Sequence, residues 1–359
     1  METTALITEA HGNLLEADAD ALVNTVNTVG IMGKGIALQF RRAYPEMFKD
    51  YARAAKSREV ALGAMHVWPT GLMTSPRFII NFPTKGHWRS SSRIEDIDRG
   101  LDDLVRVIQE HSIRSIAIPP LGCGNGGLAW SDVEPLIRKK LQAIPDVDVL
   151  LFPPEGAPAA ADMPVSDQRP TMTPSRAALV AMMAEYARHA MADPSLIETQ
   201  KLTYFLQEAG EPLRLDFIGH HYGPYADNLR HVLKLIEGYF LSGFGDGSHP
   251  VRESEPLTVL PGVEKEAHAV LQASPDTSAR IDRVMSLVEG FESAYALELL
   301  ATVHWVMERE TQNQDSQHII NAVREWSPRK GRMFTPEHIE VAVHALSERG
   351  WTSDLVPAG

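Results

Sequence analysis

The chain has 359 residues, a length typical of two domains, and a formal net charge of −13. It contains no run of eighteen apolar residues, so no transmembrane helix or membrane contact is expected, and residues 1–4 lack the features of a signal peptide. The single cysteine, Cys123, excludes an internal disulfide framework and a cysteine-rich zinc site, and it favours a reducing, cytoplasmic location.

The charge is unevenly distributed along the chain. Residues 1–155 contain 17 Lys and Arg against 19 Asp and Glu, a net charge of −2, whereas residues 156–359 contain 17 against 28, a net charge of −11. The sign of a net charge influences association rather than fold. The acidic second half therefore either serves solubility or meets a partner with a basic surface.

The first half alternates between strand-like and helix-like segments. Apolar runs predict strands at residues 5–10, 21–24, 64–68, 77–82, 115–119 and 147–152. Helices are predicted at 36–42, from Pro45, at 93–111 and from Ser131, with capping boxes formed by Ser92 and Glu95 and by Ser131 and Glu134. This alternation predicts an α/β fold in which helices cover both faces of a mixed or mainly parallel sheet.

The second half is separated from the first by a stretch rich in proline and alanine. This stretch predicts an extended linker, so we divide the chain into a domain at 1–155, a linker at 156–174 and a domain at 175–359. The last domain is predicted to be mostly helical. Its predicted helices are 175–191, 195–209, 226–241, 263–272, 278–290, 293–311, 315–326 and 336–349.

Some details of the second half depend on single residues. Asp193 and Thr335 each precede a proline and are predicted to be helix N-caps. The last predicted helix and the residues after it resemble the end of a winged-helix unit. His220, His221 and His231 have no further ligand at a recognisable spacing, so no metal site is predicted.

Two glycine-rich loops follow two of the predicted buried strands. The first contains Gly30, Gly33 and Gly35 and comes after Asn24 and Asn27, whose amides stand at or just past the end of a strand. Ligands of open α/β sheets bind at this edge, and a glycine loop that enters a helix suits a phosphate group. The spacing matches neither the dinucleotide-binding GxGxxG pattern nor the GxxxxGK[ST] phosphate loop.

The second loop, residues 122–127, follows the strand predicted at 115–119. Successive backbone N–H groups that point into one concavity bind an anion without cationic side chains. On glycine content alone, a loop of this kind is as well explained by an ordinary turn. The two loops together are more specific for a phosphate-containing ligand than either loop alone.

Four sequence motifs resemble those of macrodomains, the ADP-ribose-binding family. They are GNLL at 12–15, VNTVNTVGIMGKGIA at 23–37, NFPTKGHWR at 81–89 and PPLGCGNGGL at 119–128. The combination is most similar to the DarG branch, antitoxins that act as DNA ADP-ribosyl glycohydrolases, and it covers residues 10–130 almost continuously. The resemblance implies a three-layer α/β/α macrodomain with a mixed sheet, and ADP-ribose as ligand or product without a further cofactor.

The resemblance also implies which residues contact ADP-ribose. These are Asn13, Leu14, Asn24, Asn27, Gly33, Lys34, Gly35, Ile36, Thr84, Gly122, Cys123, Gly124, Asn125, Gly126, Gly127 and Leu128. Asn27 matches the asparagine that hydrogen-bonds the distal ribose, although it also suits a turn-capping role. Asn13 stands where many macrodomains carry an aspartate that contacts adenine, and Asp20 is an alternative for that contact.

Lys85 is the predicted catalytic residue, because it follows a strand on the ligand side and matches a lysine that is essential in this branch. A neutral amine could attack C1″ of ADP-ribose, release the base and leave a Schiff-base-type adduct, whereas a protonated amine could stabilise leaving-group or diphosphate charge. Related terminal ADP-ribose glycohydrolases carry an acidic residue in the second loop, and residues 125–127 contain none. His87, or a water held by ligand phosphate, is therefore an alternative base.

His87, Trp88 and Arg89 are predicted to contact the DNA substrate or to assist the reaction. Trp88 could stack on a nucleobase or pack at the rim of the site, and Lys34, Arg89 and Arg93 could meet phosphate groups. Cys123 lies between two glycines and is predicted to be a small buried side chain rather than a nucleophile.

Two distinctive runs of the second half, residues 200–207 and 217–229, loosely resemble a KLxYFxQ…GPY helical domain of antitoxins and phage-related proteins. The net charge of −11 argues against DNA binding by this half, since phosphate contacts need Lys and Arg. An acidic surface suits the basic groove of a nucleic-acid enzyme instead. The resemblance implies a DarT-type DNA ADP-ribosyltransferase toxin as partner, bound by mimicry of its DNA substrate.

The predicted function is therefore that of an antitoxin with two activities. Its macrodomain removes ADP-ribose from ADP-ribosylated single-stranded DNA, with thymine as the base that the resemblance implies, and its second half sequesters the toxin. Two alternatives remain open. One is hydrolysis or deacylation of ADP-ribose on proteins or of small ADP-ribose esters, and the other is a non-enzymatic ADP-ribose reader with an interaction domain.

Overall fold

The structure, a computed structural model, describes residues 5–72, 74–142, 144–154, 159–165, 168–248, 255–309 and 316–352. It divides the chain into two compact units, unit 1 being Met1–Asp167 with Gly245–Ser248 and unit 2 being Gln168–Phe244 with His249–Gly359. Parts of the predicted linker and the N-terminus considered for a signal peptide lie outside the described residues. Within the described ranges no helix is both long and apolar enough to cross a membrane.

Unit 1 is built on a six-stranded sheet. Its strands are β1 (Leu6–Glu9), β2 (Ala21–Asn27), β3 (His66–Pro69), β4 (Phe78–Lys85), β5 (Ser115–Ile118) and β6 (Asp148–Leu151). The order is β1-β6-β5-β2-β4-β3, and every pair is parallel except β3 with β4, which confirms the predicted mixed sheet. β2 and β4 are longer than predicted and pair up to Asn27 opposite Lys85, so these two residues end the central strands rather than belonging to loops.

Helices cover both faces of this sheet, namely α1 (Gly35–Ala43), α2 (Pro45–Lys56), α3 (Ile94–Glu110) and α4 (Trp130–Leu141). Successive side chains of a strand point to opposite faces of its sheet. In β2, Val23 packs in the core formed with α3 and α4, whereas Leu22 packs in the core formed with α1 and α2. The predicted three-layer α/β/α architecture is thereby confirmed.

Both capping boxes predicted for unit 1 are wrong. The N-cap is Arg93 at α3 and Ala129 at α4, and neither side chain forms a capping hydrogen bond. Ser92 lies before the extended Arg93, and its backbone N–H donates to the carbonyl of Gly126 instead. Ser131 lies inside α4. The spacing of Ser and Glu suits a cap in both cases, but the extended residue that precedes each helix is a different one.

Unit 2 is mostly helical, as predicted. Its helices are α5 (Pro174–Ala190), α6 (Leu196–Glu208), α7 (Leu229–Ile236), α8 (Val263–Leu271), α9 (Pro275–Val288), α10 (Ala294–Arg309), α11 (Ser316–Glu325), α12 (Pro328–Met333) and α13 (Pro336–Glu348). Two small antiparallel pairs were not predicted, β7 (Ile218–His220) with β8 (Gly223–Tyr225) and β9 (Leu241–Ser242) with β10 (Thr258–Val259). α12 was also missed, and α7 is shorter than expected.

The details at the helix ends are partly as predicted. Thr335 caps α13 through its side chain. α6 is capped by Ser195, which forms a capping box with Glu198, so the N-cap predicted at Asp193 is wrong. Residues 349–352, the part after α13 that the structure describes, contain no strand, and the winged-helix end is not confirmed.

A buried ionic cluster joins α10 to α12. Lys330 is wholly buried, and its Nζ donates to Glu298 Oε1 at 2.7 Å and to Thr302 Oγ1 at 2.9 Å. Arg329 donates two hydrogen bonds to the Glu298 carboxylate, at 2.6 and 3.0 Å. Burial would raise the pKa of Glu298, but the hydrogen bonds and charges of both cations outweigh it and hold that pKa below its ordinary value. Glu298 is thus the shared acceptor of two cations.

Lys201 of α6 is a second wholly buried lysine beside this cluster. Its Nζ donates to the carbonyl of Pro224 at 2.5 Å and so ties β8 to α6. Burial, followed by the charge of Lys330, lowers the pKa of Lys201 to about 7. A Cβ at Gly223 would lie only 2.7 Å from Thr302 Oγ1, so the glycine of the GPY run lets β8 approach the cluster.

We expect Glu298→Gln to destabilise unit 2. Removing one partner of a buried ion pair leaves the other charge uncompensated, and the loss is about 3–5 kcal/mol of unfolding free energy. The measurement is denaturant unfolding of the full chain, with hydrogen exchange of α10 to identify the unit affected. Glu308→Gln, at an exposed position of the same helix, is the matched control and should change stability by less than about 0.5 kcal/mol. Equal effects of the two substitutions would contradict the role of the cluster.

Candidate ligand site at the glycine loops

Three segments meet at the carboxyl end of β2 and β4. The backbone N–H of Thr28 donates to the Lys85 carbonyl at 3.2 Å, and its hydroxyl donates to the Gly86 carbonyl at 2.7 Å. Lys85 Nζ in turn donates to the carbonyl of Asn125 at 2.7 Å. A Cβ at Gly35 would lie 3.2 Å from the Asn125 side-chain nitrogen, so the two glycine loops touch. The structure therefore places Lys85 between the two loops.

Asn27 organises the first loop. Its Oδ1 accepts the backbone N–H groups of Val29 and Ile31 at 3.1 and 3.3 Å, and its Nδ2 donates to the Ile31 carbonyl at 2.6 Å. The hydroxyl of Tyr51, a buried residue that the sequence did not single out, donates to the Asn27 backbone carbonyl. The Asn27 side chain thus has the turn-capping role, and one amide hydrogen remains for the predicted ribose contact.

The first loop ends in a helix N-terminus that lacks a side-chain cap. Lys34 is the extended N-cap of α1, forms no capping hydrogen bond through its side chain, and is followed by no acidic residue in the first turn. Gly35 has φ +62°, a conformation that favours glycine. A basic N-cap is unfavourable beside the positive end of the helix dipole. An anion at this position would relieve that repulsion.

The second loop holds unused hydrogen-bond donors. The N–H groups of Cys123, Gly127 and Leu128 donate to carbonyls within residues 120–124. Those of residues 124–126 have no acceptor in the described part of the chain. Three successive free N–H groups in a tight loop form an anion-binding nest. This arrangement suits the diphosphate position that the sequence predicted.

Lys85 is half-buried and carries no counter-ion. Burial, followed by the charge of Lys34, lowers the pKa of Lys85 from its ordinary value. No carboxylate forms an ion pair with it among the described residues. A lysine in this setting is more readily neutral than a surface lysine and binds an anion when protonated.

Cys123 is a half-buried residue of the second loop, and its thiol lies 3.6 Å from the Leu121 carbonyl oxygen. Burial, with a contribution from the charge of Asp132, raises the pKa of Cys123 to about 11. The thiol is therefore protonated at neutral pH, which argues against a nucleophilic role.

The predicted DNA-contacting residues lie together on the surface. The rings of His87 and Trp88 stack with centroids 5.3 Å apart, and the Arg89 guanidinium lies 4.4 Å from the Trp88 ring centroid. Trp88 is 44% exposed. A nucleobase would join this stack or replace one of its members, since the ring already has neighbours.

Three of the predicted ligand contacts are placed in the interior. Asn24 is wholly buried and donates to Asn81 Oδ1 at 2.8 Å, so its side chain lies inside the sheet and its contact with ADP-ribose stays a prediction. Leu14 is a core residue, and Thr84 is buried with its hydroxyl bonded to the Val26 carbonyl. The side chains of Leu14 and Thr84 therefore hold the scaffold, and only their backbones remain as candidates for ligand contact.

The two candidates for the adenine contact are separated in the structure. Asn13 caps a short turn by accepting the Leu15 N–H at 3.0 Å, after the carboxyl end of β1. Asp20 precedes β2, pairs with Arg77 at 3.0 Å and accepts the N–H of Arg114 at 2.8 Å. Asp20 lies at the opposite end of β2 from the glycine loops, so the alternative at this residue is wrong.

The remaining predicted contacts lie on the loops themselves. Gly33 and exposed Lys34 precede α1, Gly35 begins it, half-buried Ile36 is its second residue, and Gly122, Gly127 and Leu128 frame the second loop. Among the residues that the structure describes, no group of three His, Cys, Asp or Glu side chains is arranged to hold a metal ion.

Comparison with known proteins finds similarity both to the segment that holds the glycine loops and to nearly the whole chain. The Macro domain family model matches residues 23–137. A DNA ADP-ribosyl glycohydrolase of Mycobacterium tuberculosis is 46% identical over 355 residues, which cover 95% of this chain and 99% of that protein. The protein of the same description from Thermus aquaticus is 45% identical over 340 residues, covering 94% and 92%. A DNA ADP-ribosyl transferase–glycohydrolase fusion protein from Thermosipho africanus is 29% identical over 43% of each chain.

Gly126 and Gly124 provide a matched test of the second loop. A Cβ at Gly126 would lie 2.3 Å from the Gly122 carbonyl oxygen, whereas a Cβ at Gly124 would meet nothing within 4 Å. We expect Gly126→Ala to cost about 1–3 kcal/mol of stability through overpacking, and Gly124→Ala to stay within about 0.5 kcal/mol. Thermal unfolding of both variants checks this, and equal melting temperatures would show that the loop has room at Gly126.

Proposed function

This chain belongs to the DNA ADP-ribosyl glycohydrolase family, the DarG branch of macrodomain proteins, and from that premise we propose that unit 1 removes ADP-ribose from a base of single-stranded DNA, with thymine as the base. The enzyme class predicted from the sequence is the class of this family. The observation that carries the proposal is the 2.7 Å contact of Lys85 Nζ with the Asn125 carbonyl, which holds an amine without counter-ion between two loops suited to phosphate.

The binding step follows from the donors of the site. The N–H groups of residues 124–126 and the N-terminus of α1 receive the diphosphate, because the loop presents N–H groups without an acceptor and the helix has no side-chain cap and no acidic residue in its first turn. The distal ribose then lies between Asn27 and Lys85, which end neighbouring strands. C1″ of that ribose carries the base, so this placement brings the scissile bond to the amine.

In the chemical step the bond between C1″ and the base nitrogen breaks, and the nitrogen takes up a proton. In one route the neutral amine of Lys85 attacks C1″, the base leaves, and water later hydrolyses the Schiff-base-type adduct to ADP-ribose and free amine. In the other route Lys85 stays protonated and stabilises the negative charge that develops on the departing base while water attacks C1″. The lowered pKa of Lys85 favours the first route, and the lack of an acidic residue at 125–127 favours the second.

The DNA strand continues from the base towards the exposed stack of His87, Trp88 and Arg89. Trp88 offers a ring for stacking and Arg89 a charge for phosphate, which suits a nucleic-acid substrate better than a small ADP-ribose ester. The stack follows Lys85 by only two to four residues, which supports a DNA strand that runs from the amine to this surface.

Unit 2 is proposed to neutralise a DarT-type DNA ADP-ribosyltransferase toxin by occupying its DNA-binding groove. Two observations support this. Residues 156–359 carry a net charge of −11, which complements a surface that binds DNA. The relative from Thermosipho africanus joins a transferase and a glycohydrolase in one chain, which places the two activities in one system in that organism.

Replacement of the catalytic lysine tests the first proposal. We expect wild type to release ADP-ribose from a single-stranded oligonucleotide with base-linked ADP-ribose, and Lys85→Ala to be slower by a factor of at least about 10². The variant should still bind ADP-ribose, since the free N–H groups of the second loop remain. Lys139→Ala, at an exposed position of α4, is the matched control and should retain full activity.

The other outcomes of this assay identify the alternatives. If wild type binds ADP-ribose but releases none from DNA or protein, unit 1 is a reader. If it acts on ADP-ribosylated protein and not on DNA, the substrate class is wrong. The pH dependence of the rate separates the two routes: a neutral nucleophile gains activity as the pH rises towards the lowered pKa of Lys85, whereas a required cation loses activity over the same range.

Salt dependence tests the proposed role of unit 2. The Debye length falls from about 10 Å at 0.1 M to about 3 Å at 1 M ionic strength, so a complex held by opposite charges should bind more weakly at 1 M. We expect calorimetry of the full chain with the toxin to show this loss, with circular dichroism at both salt concentrations to verify the fold. An affinity that is unchanged at 1 M would count against an electrostatic docking surface.

A further inference from the structure

Two buried side-chain polar atoms in the described part of the chain have no hydrogen-bond partner, and both lie beneath the glycine loops. They are Asn24 Oδ1 and Ser92 Oγ. The Asn24 amide contacts the sulfur of Met32 in the first loop at 3.8 Å, and Ser92 lies against the second loop. Buried polar groups are almost always paired, because an unpaired one loses its hydration without compensation. Unit 2 has a polar interior of similar size and shows no such atom among its described residues.

Ser92 is held in contact with the second loop from two sides. Its backbone N–H donates to the Gly126 carbonyl at 2.9 Å, and its side chain is only 6% exposed. Ser92 Oγ lies 2.3 Å from the position that a Cβ at Gly126 would take and 3.2 Å from the corresponding position at Gly122. The absence of side chains at these two glycines therefore gives the hydroxyl its place. Sequence reasoning missed this role, because the Ser-x-x-Glu spacing suggested a helix cap.

The hydroxyl and the free N–H groups of residues 124–126 form one set of unused donors around a single loop. None of them has an acceptor among the described residues, and no carboxylate of those residues forms an ion pair with Lys85. A diphosphate brings several acceptor oxygens and negative charge, and hydrogen bonds to an ionised acceptor are the strong ones. Such a ligand supplies the acceptor that each of these donors lacks.

We propose that Ser92 is a positioning residue for the diphosphate of the ligand, and that its hydroxyl gains a hydrogen-bond partner only when that anion occupies the second loop. This inference rests on the proposed function, which supplies ADP-ribose as the ligand. Ser92 touches the loop that carries the Asn125 carbonyl, and that carbonyl is the acceptor of Lys85. In the complex, a hydrogen bond from this hydroxyl holds the diphosphate against the same loop that carries the acceptor of Lys85.

Ser92→Ala is expected to affect ligand binding and protein stability differently. In the ligand-free protein the Ser92 hydroxyl makes no hydrogen bond, so Ser92→Ala removes an unpaired buried group and should leave the melting temperature equal or higher. In the complex the variant lacks one donor to an anion, so ADP-ribose should bind roughly tenfold more weakly. On the ADP-ribosylated oligonucleotide, KM should rise by a similar factor while kcat changes less, because the lost contact holds a part of the substrate that does not react.

Ser91→Ala is the matched control, since Ser91 is the exposed neighbour of Ser92. The full chain is used for thermal unfolding without ligand, for calorimetry with ADP-ribose and for the release assay, and the control should match wild type in all three. A lower melting temperature of ligand-free Ser92→Ala would overturn the proposal, because the hydroxyl would then have a partner in the free protein. Unchanged ADP-ribose affinity would overturn it as well.

Failure of this inference and failure of the proposed function give different results. If wild type binds no ADP-ribose, the function of unit 1 is wrong and the role of Ser92 is wrong with it. If wild type binds ADP-ribose and Ser92→Ala binds it equally well, only the role of Ser92 is wrong.

Discussion

The site depends on the parallel pairing of β2 with β4, which ends with Asn27 opposite Lys85. Both glycine loops take their position from this pairing. The first loop starts at Asn27 and is tied back to β4 through Thr28, while the second follows β5, which pairs with the other edge of β2. A lysine on a surface loop would lose side-chain entropy whenever it adopted one reactive position. At the end of a central strand, the direction of the Lys85 side chain is set by the sheet.

In unit 1, several polar groups at the glycine loops have no hydrogen-bond partner among the described residues. Lys85 forms no ion pair with a carboxylate of the described residues and feels the positive charge of Lys34, while the N–H groups of residues 124–126 have no acceptor there and the Ser92 hydroxyl is unpaired. Each of these features lowers the stability of the ligand-free state, and each is relieved by the same kind of molecule, a flexible anion with several oxygens. Local conflicts of this kind concentrate at functional sites, because the rest of the fold compensates for them.

Local signals were sufficient to predict the strands and the two loops, since an apolar run followed by glycines needs no distant partner to be recognised. They were insufficient where tertiary pairing decides. β2 extends to Asn27 because β4 lies beside it, so Asn24 is inside the sheet rather than at its end. The pairing is irregular between Val26 and Asn27, and the Asn27 side chain bonds to the first loop instead of to the sheet. Ser92 illustrates the same limit. Its local sequence suits a helix cap, but its backbone bonds to Gly126, which is distant in sequence.

Unit 2 uses charge differently in its interior and on its surface. Within residues 156–359, the described charged residues that are wholly or nearly buried are Lys201, Lys330, Glu211, Glu237, Asp246 and Glu298. They amount to four negative charges against two positive ones, a net of −2, whereas residues 156–359 carry −11. Among the described residues, burial therefore accounts for only a small part of the acidic excess. Inside, Glu298 is needed to hold two cations where water cannot. Carboxylates on the surface are hydrated and need no partner within the protein. An acidic surface that serves solubility therefore differs from one that docks a partner only in whether its carboxylates match the positions of the partner's basic groups.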